Sequence, residues 1–186
     1  METKQLEFLK KRDLSNFINI RSAYPGDDLV LGNLLVQTFA QTYALKLPTA
    51  VTTNEREREL RDVNGRRKNG IVRVIEFGFR IIGTYSLIYP KTELDESWAA
   101  DGCTLRCLAV DPEFHSLKLS EHLLQDSVEV ALGWGARVIC LHVQRGAIGV
   151  ARLYERFGFK RSVEGDRIYM GNFIEGYIFH INEKVS

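Results

Sequence analysis

The chain has 186 residues, of which 45% are apolar and 26% are charged. This is the length and composition of one globular domain, and it excludes an intrinsically disordered chain. The net charge is only +1, so no global positive field would hold a nucleic acid or an anionic membrane. No run approaches the ~18 consecutive apolar residues of a membrane-spanning helix. Residues 1–13 lack the apolar stretch of a secretory signal, so we expect a cytoplasmic protein.

The first half of the chain predicts a strand followed by two helices. The strand is expected at Ile18–Ala23, and the first helix from Leu29 to about Leu45, where apolar residues recur at helical spacing. Pro48 is expected to mark the end of this helix. Capping residues at positions 52–54 then introduce a second, more solvated helix.

A hairpin is predicted next. Ile71–Phe77 and Arg80–Tyr89 are rich in Val, Ile, Tyr and Phe, and Gly78 separates them. The basic run GRRKNG at Gly65–Gly70 precedes the hairpin and lacks the interleaved aromatic residues of a site for RNA. We therefore predict a solvated turn there. A long polar loop at Pro90–Asp101 follows the hairpin.

The second half alternates strands and helices. They are predicted, in order, at Cys103–Val110, Leu117–Gly133, Arg137–Val143 and Ala147–Phe157. A strand, a helix and a second strand in this order require parallel pairing of the strands through a crossover. Two more strands are expected in the tail, at Lys160–Val163 and Gly176–Ile181, with an irregular, partly extended segment between them.

The three cysteines, Cys103, Cys107 and Cys140, make an odd set in a chain of this length, and we predict that all are reduced. Cys103 and Cys107 would share one face of a strand. Their spacing is not that of a metal-binding pair, and no histidine clusters with them, so the pattern favours small buried side chains and no metal.

The stretch Leu105–Phe159 begins LRCLAVDPEFHSLKLS and ends VQRGAIGVARLYERFGF. It resembles the cofactor-binding half of the GNAT-superfamily acyltransferases. The resemblance extends from Ile20 to Ile181 and implies an α/β (α+β) fold, with a mixed central sheet flanked by about four helices in a single domain. We assign that domain to residues 17–186. Residues 1–16 are predicted to be an N-terminal extension.

The resemblance also implies a site for acyl-coenzyme A. Main-chain groups of Leu108, Ala109 and Val110 would bind its pantetheine arm, beside a splay from the neighbouring parallel strand. The family's next turn has Arg or Gln, then two residues, Gly, one residue, and Gly or Ala, at a helix start suited to binding the pyrophosphate. The corresponding stretch here comprises His115, Ser116, Leu117, Lys118, Leu119 and Ser120.

Lys118 stands at the first glycine position of that turn, and two interpretations of it are open. Its side chain would hinder the close approach of a phosphate to the backbone. Alternatively, its ammonium group would pair with the phosphate, so that electrostatic attraction replaces the close backbone contact that a glycine allows. His115 stands where Arg or Gln is usual, and an exposed turn residue and a phosphate contact are both consistent with it.

A second motif of the family has Asn, two residues, Ala, two residues and Leu-Tyr, before Gly-Phe. Here Ala147 and Val150 occupy the Asn and Ala positions, which implies loss of one hydrogen bond to the pantetheine. Tyr154 matches the tyrosine, and the resemblance implies that it protonates the thiolate that leaves during acyl transfer. A phenol with a pKa near ~10 carries its proton at neutral pH. The alternative is an aromatic residue of the core.

The acceptor amine has a pKa near ~10 and must lose a proton before it can attack. Asp101, Glu93, Glu96 and His142 are candidate bases, and no spacing distinguishes among them. Cys107 is a weaker candidate, as an acyl-carrying nucleophile, because the family usually transfers the acyl group directly to the acceptor.

These observations predict an N-acetyltransferase that moves an acetyl group from acetyl-coenzyme A to a primary amine of a small molecule or a protein. Two alternatives remain open. One is a catalytically inactive ligand-binding or interaction protein of GNAT fold, which Lys118 and Ala147 favour. The other is a transferase that uses a longer acyl-coenzyme A. Acyl-coenzyme A and an amine are the expected partners, without nucleic acid, membrane or metal; the oligomeric state is open, a homodimer included.

Overall fold

The computed structural model describes residues 17–46 and 53–181. The predicted N-terminal extension and the predicted helix end at Pro48 lie outside the described residues. Among the described helices, none is long and apolar enough to cross a membrane. The described elements are β1 (Ile18–Ser22), α1 (Asp28–Lys46), α2 (Asn54–Arg61), α3 (Val63–Lys68), β2 (Gly70–Phe77), β3 (Arg80–Ile88), β4 (Gly102–Val110), α4 (Leu119–Gly133), β5 (Val138–Gln144), α5 (Ile148–Phe157), β6 (Lys160–Arg161), β7 (Arg167–Tyr169) and β8 (Asn172–His180).

One sheet joins all eight described strands. Its order is β1-β2-β3-β4-β5-β8-β6, and β7 pairs with β8. The β4–β5 pair is parallel, and every other described pair is antiparallel. The predicted mixed sheet in a single domain is therefore confirmed, including the parallel pair that α4 connects. The described residues form five α-helices rather than about four, because α3 was not predicted.

The helices pack on both faces of the sheet. Val72 and Val74 of β2 pack against Leu31 of α1 and Val63 of α3, whereas Arg73, between them, reaches α4 on the opposite face. This alternation is the period-two pattern of a strand with two covered faces. The apolar stripe of α4 faces the main core, and its buried residues are Leu119, Leu123, Leu124, Ser127, Val128 and Ala131.

The prediction of a solvated turn at Gly65–Gly70 is wrong, because α3 includes most of these residues. Arg66 is only 3% exposed. Its guanidinium donates to the main-chain oxygens of Glu59 at 2.7 Å and Leu60 at 2.9 Å. Arg67 forms an ion pair with the first residue of α1. Two of the three basic side chains thus hold the helices together instead of forming a basic surface.

Two other boundaries differ from the prediction. Leu117 lies in a 3-10 turn, Pro112–Leu117, and α4 begins two residues later because Lys118 adopts a left-handed backbone conformation. In the tail, β6 is only two residues long, and β8 begins at Asn172 rather than near Gly176. The longer β8 pairs with β5 along the whole of that strand.

Candidate active site

The two parallel strands at the centre of the sheet separate partway along their length. Their register covers three residue pairs, the last of which joins Thr104 to Cys140. Beyond that pair, β4 continues to Val110 and β5 to Gln144 without pairing to each other. The main-chain groups on the facing sides of these segments therefore have no partner strand across the gap.

A bulge in β4 accompanies this separation. Thr84 and Ser86 of β3 are two residues apart, whereas their partners Ala109 and Arg106 on β4 are three apart. Cys107 lies within the bulge and has a φ of 53°, in the left-handed region. A bulge bends its strand and increases the local twist, and here it coincides with the departure of β4 from β5.

The gap opens into a cavity of about 200 Å³. Four of the predicted cofactor residues lie on its wall: Leu108, Ala147, Val150 and Tyr154. Its other lining residues come from α1, α2, β4, β5, the loop after β3 and the C-terminal strands. They are Thr38, Phe39, Thr53, Arg56, Glu96, Leu105, Arg106, Cys107, Leu141, His142, Val143, Gln144, Arg167, Tyr169, Met170, Asn172 and Ile174.

The remaining predicted cofactor residues are not among the described lining residues. Ala109 and Val110 bury their side chains, so only their main chain is available to a ligand. Leu117 and Leu119 are buried in the main core, and Ser116 belongs to the 3-10 turn. Ser120, in the first turn of α4, is partly exposed.

The 3-10 turn is fixed to the carboxyl end of β4. Asp111 caps it by accepting a hydrogen bond from the main-chain nitrogen of Glu113 at 3.0 Å. The exposed ring of His115 donates from Nε2 to the main-chain oxygen of Val110 at 2.9 Å. The turn therefore leads directly from the open segment of β4 to the first residues of α4.

Lys118 has the backbone conformation that a glycine would adopt at this point. Its φ is 55°, and it is the N-terminal cap residue of α4, without a side-chain capping hydrogen bond. Its side chain is exposed. Unpaired main-chain N–H groups and the helix dipole at such an end attract anions.

Tyr154 is held by the Gly-Phe pair that follows α5. Gly158 has a φ of 117° and ends the helix, and the main-chain nitrogen of Phe159 then donates to the oxygen of Tyr154 at 3.0 Å. The Phe159 ring meets the Tyr154 ring edge-on, with centroids 5.5 Å apart. Burial, with a smaller contribution from nearby Cys107, raises the pKa of Tyr154, so its phenol is protonated at neutral pH.

A group of charged side chains occupies the cavity wall around Glu96. This carboxylate accepts from Arg167 at 2.5 Å and lies 3.3 Å from a guanidinium nitrogen of Arg106. His142 Nδ1 lies 3.6 Å from its other oxygen. Burial disfavours the charged form of Glu96, but the His142 ring and the two guanidinium groups outweigh it and lower the pKa of Glu96 to about 2.

A second carboxylate, Glu59 of α2, extends this group. It accepts from Arg106 at 2.5 Å and forms an ion pair with Arg56. No role for Glu59, Arg56, Arg106 or Arg167 was predicted from the sequence. One signal was present: Arg106 interrupts an otherwise apolar strand, and a charged residue there requires a buried partner.

His142 is held on both sides of its ring. Because the main-chain oxygen of Gly165 can only accept, His142 Nε2 donates to it, at 2.8 Å. The other ring nitrogen, Nδ1, faces Glu96. Of the four candidate bases, Glu96 and His142 lie at the cavity, whereas Glu93 and Asp101 are exposed elsewhere.

The three cysteines are free and buried, as predicted. Burial raises the pKa of Cys103 to about 12, so its thiol is protonated at neutral pH. Within residues 17–46 and 53–181, no cluster of three His, Cys, Asp or Glu side chains has the arrangement of a metal site.

Residues 37–159 match the acetyltransferase (GNAT) family. The chain belongs to the GNAT family. This confirms the resemblance that the sequence analysis identified. No curated protein matches the chain.

Many solved structures share the fold of this GNAT-family chain. A GNAT acetyltransferase from Staphylococcus aureus Mu50 is 17% identical and has a TM-score of 0.70, with 89% of this chain and 99% of that one covered. YncA from Salmonella typhimurium, a putative acetyltransferase solved with acetyl-CoA, is 16% identical with a TM-score of 0.63, over 91% and 96% of the two chains. The PaiA N-acetyltransferase from Thermoplasma acidophilum, solved with coenzyme A, is 20% identical with a TM-score of 0.62, over 86% and 97%.

Proposed function

We propose that this protein is an N-acetyltransferase that transfers an acetyl group from acetyl-coenzyme A to a primary amine of a small molecule or a protein. The observation that carries the proposal is the gap between β4 and β5, which opens a cavity lined by Tyr154. Membership of the GNAT family supports acyl transfer from a coenzyme A thioester. Structures of YncA and PaiA with acetyl-CoA or coenzyme A support the same donor.

The residues at the gap suit an acyl-coenzyme A. Main-chain groups of Leu108, Ala109 and Val110 lie beyond the last β4–β5 pair and would meet the amide-bearing pantetheine arm. The first turn of α4 would hold the pyrophosphate. Lys118 keeps a left-handed conformation there despite its side chain, and its exposed ammonium would add a positive charge. This supports the interpretation in which the ammonium group of Lys118 pairs with the phosphate.

The thioester supplies an acetyl group that is already activated for transfer, since a thiolate is a good leaving group. An amine nitrogen bonds to the acyl carbon as the carbon–sulfur bond breaks. Tyr154 would donate its phenolic proton to the departing sulfur. The nitrogen loses one proton as the amide forms, which restores the phenol, so the products are an N-acetyl amine and a free thiol.

Glu96 does not suit the role of base for the amine. A carboxylate with a pKa of about 2 is far too weak to remove a proton from an ammonium of pKa near ~10. Its ion pairs instead hold the guanidinium groups of Arg106 and Arg167 in place at the cavity. We propose that the amine loses its first proton to solvent before it enters the cavity.

Thermal unfolding with coenzyme A, acetyl-coenzyme A and a longer acyl-coenzyme A, together with an assay of thiol release in the presence of amines, tests this function. A ligand at about 100 times its dissociation constant should stabilise the native state by about 2.7 kcal/mol, which raises the melting temperature by several degrees. Stabilisation and thiol release with acetyl-coenzyme A support the proposal. Stabilisation without thiol release would favour a binding protein, and no stabilisation by any thioester would refute the donor site.

A further inference from the structure

The half-buried side chain of Gln144 presents a free carbonyl oxygen at the cavity. Gln144 and His142 both line the cavity, and they lie on the same face of β5 because side chains alternate along a strand. Gln144 Nε2 donates to Asn172 Oδ1 at 3.2 Å. Its Oε1 atom has no hydrogen-bond partner among the described residues. This oxygen is therefore available to a hydrogen-bond donor of a ligand.

A chain of hydrogen bonds fixes the orientation of this amide. The main-chain oxygen of Met170 can only accept, so the Asn172 atom that lies 3.1 Å from it must be the Nδ2 donor. Asn172 Oδ1 then faces Gln144, and it too can only accept, so Gln144 must turn its Nε2 toward it. A flipped Gln144 amide would place an oxygen against an oxygen. The chain of contacts thus keeps Gln144 Oε1 on the side away from Asn172.

The other carboxylate and amide oxygens on the described part of the cavity wall already have partners. Those of Glu96 face two guanidinium groups and the ring of His142. The oxygen of Asn172 accepts from Gln144. Among these groups, Gln144 Oε1 is the oxygen that an N–H of a ligand can use without the loss of an existing contact.

Gln144 also borders the gap between β4 and β5. Counted from the Thr104–Cys140 pair, with one residue allowed for the bulge, its place on β5 corresponds to that of Ala109 on β4. The proposed position of the pantetheine arm is along the main chain of Leu108–Val110. A ligand arm that binds to β4 in this gap therefore has Gln144 on its other side.

We propose that Gln144 Oε1 accepts a hydrogen bond from an amide N–H of the pantetheine arm, and that Asn172 and Met170 are positioning residues that orient Gln144. The inference rests on the proposed function and adds a residue that recognises the donor. Pantetheine carries amide N–H groups, whereas the acetyl group and the thioester sulfur have no such hydrogen to donate. Asn172 and Met170 line the cavity from the turn between β7 and β8. A turn of the C-terminal strands thus takes part in holding the donor.

Binding of coenzyme A, measured by titration calorimetry, tests this contact without an acceptor amine. Gln144→Met keeps the length of the side chain and removes its hydrogen bonds. We expect the dissociation constant of coenzyme A to rise about 5- to 10-fold, as for loss of one neutral hydrogen bond. Binding of adenosine 3′-phosphate 5′-diphosphate, the nucleotide of coenzyme A without the arm, should be unchanged. Gln37→Met is the matched control, because Gln37 is exposed on α1 and is not among the described lining residues.

Variants of Asn172 test the orientation of the amide. Asn172→Asp still accepts from Gln144 Nε2 and should bind coenzyme A within about 2-fold of the wild type. Asn172→Leu removes that partner and lets the amide rotate, so we expect coenzyme A to bind about 3-fold more weakly. In the Gln144→Met background, Asn172→Leu should have no further effect, since the two residues act through one contact. Melting temperatures without ligand verify that each variant folds.

The outcomes separate this inference from the proposed function. Unchanged binding of coenzyme A by Gln144→Met, or an equal loss with the nucleotide alone, overturns the contact. A rise confined to the KM of the acceptor amine also overturns it and would assign Gln144 to the acceptor. Weaker binding by Gln144→Met, with no thiol release by the wild type, supports the contact and overturns the proposed transfer. Absence of coenzyme A binding by the wild type overturns both.

Discussion

Cys107 of β4 and Tyr154 of α5 line the same cavity, and the proximity of Cys107 adds to burial in raising the pKa of Tyr154. The two residues belong to separate segments of the chain, and the departure of β4 from β5 brings them to one site. The left-handed backbone of Cys107 marks that departure. The proposed proton donor therefore lies near the bulge that accompanies the gap.

Replacement of Tyr154 with Phe tests the proton donor. We expect kcat to fall about 10²- to 10⁴-fold, with KM for acetyl-coenzyme A little changed, because the ring remains and only the acidic proton is lost. Steady-state kinetics of thiol release measure both. Tyr177→Phe is the matched control, since Tyr177 is 4% exposed but lies outside the cavity wall. Equal activity of the two variants would remove Tyr154 from the mechanism.

Replacement of Lys118 with Gly separates the two interpretations of this residue. Glycine fits a φ of 55° without strain, so the backbone path should persist while the ammonium is lost. We expect binding of coenzyme A, measured by titration calorimetry, to weaken several-fold and to depend less on salt. Tighter binding would mean that the lysine stem hinders the phosphate. Lys91→Gly is the control: Lys91 is exposed with a φ of 63° and is not at the α4 end.

Replacement of Glu96 with Gln should change stability in a pH-dependent manner. The pKa of Glu96 is about 2 in the folded protein against an ordinary value of 4.5. A lowered pKa contributes stability that is fully present above pH 4.5 and is lost as the pH falls toward 2. Denaturant unfolding should show a difference between wild type and variant on the order of 3 kcal/mol at neutral pH, decreasing below pH 4.5.

The control for that series is Glu93→Gln, on the exposed part of the same loop, which should alter the free energy of unfolding little at pH 7. A Glu96→Gln variant that is equally stable at pH 7 and pH 3, relative to wild type, would contradict the charged network. Loss of Glu96 should also leave Arg106 and Arg167 with fewer partners.

A second buried network, away from the cavity, predicts a purely structural effect. Tyr85 is fully buried, and its hydroxyl donates to Asp126 at 2.6 Å. Asp126 also accepts two hydrogen bonds from Arg73, at 2.7 and 2.9 Å. Tyr85→Phe should lower the free energy of unfolding by about 1.5–3 kcal/mol, without a change in KM for acetyl-coenzyme A. Tyr24→Phe, at a residue that is 62% exposed, should have almost no effect on stability.

Much of the fold could be predicted from the sequence because local patterns determined it. Helical spacing in α1 and α4, the β2–β3 hairpin around Gly78, and the strand–helix–strand order at β4 and β5 were all recovered. The helix α3 was not predicted, because a run of Arg, Lys and Asn has no apolar period. Tertiary contacts stabilise this helix: the guanidinium of Arg66 donates hydrogen bonds to main-chain oxygens near the end of α2.

The candidate site was predicted only in part: the proposed cofactor residues were expected, whereas of the charged group only Glu96 and His142 were named, as candidate bases. Leu108 and the residues Ala147, Val150 and Tyr154 belong to two motifs that are each local in sequence, and all four line the cavity. The charged group at the cavity draws on α2, the loop after β3, β4 and β7. Contacts between segments so far apart in the chain produce no recognisable residue spacing in the sequence, and Glu59 and Arg167 were therefore not predicted.

After the bulge at Cys107, the last residues of β4 no longer pair with β5, and one edge of this segment has no neighbouring strand. An extended ligand seated there would act as a ninth strand, with its amide groups continuing the hydrogen-bond ladder. Amide hydrogens of this segment, from Leu108 to Val110, should then exchange with solvent more slowly once the acyl donor is bound, while those of Gly102–Thr104, already paired with β5, should exchange as before. The donor would thus close the sheet as it enters the reaction.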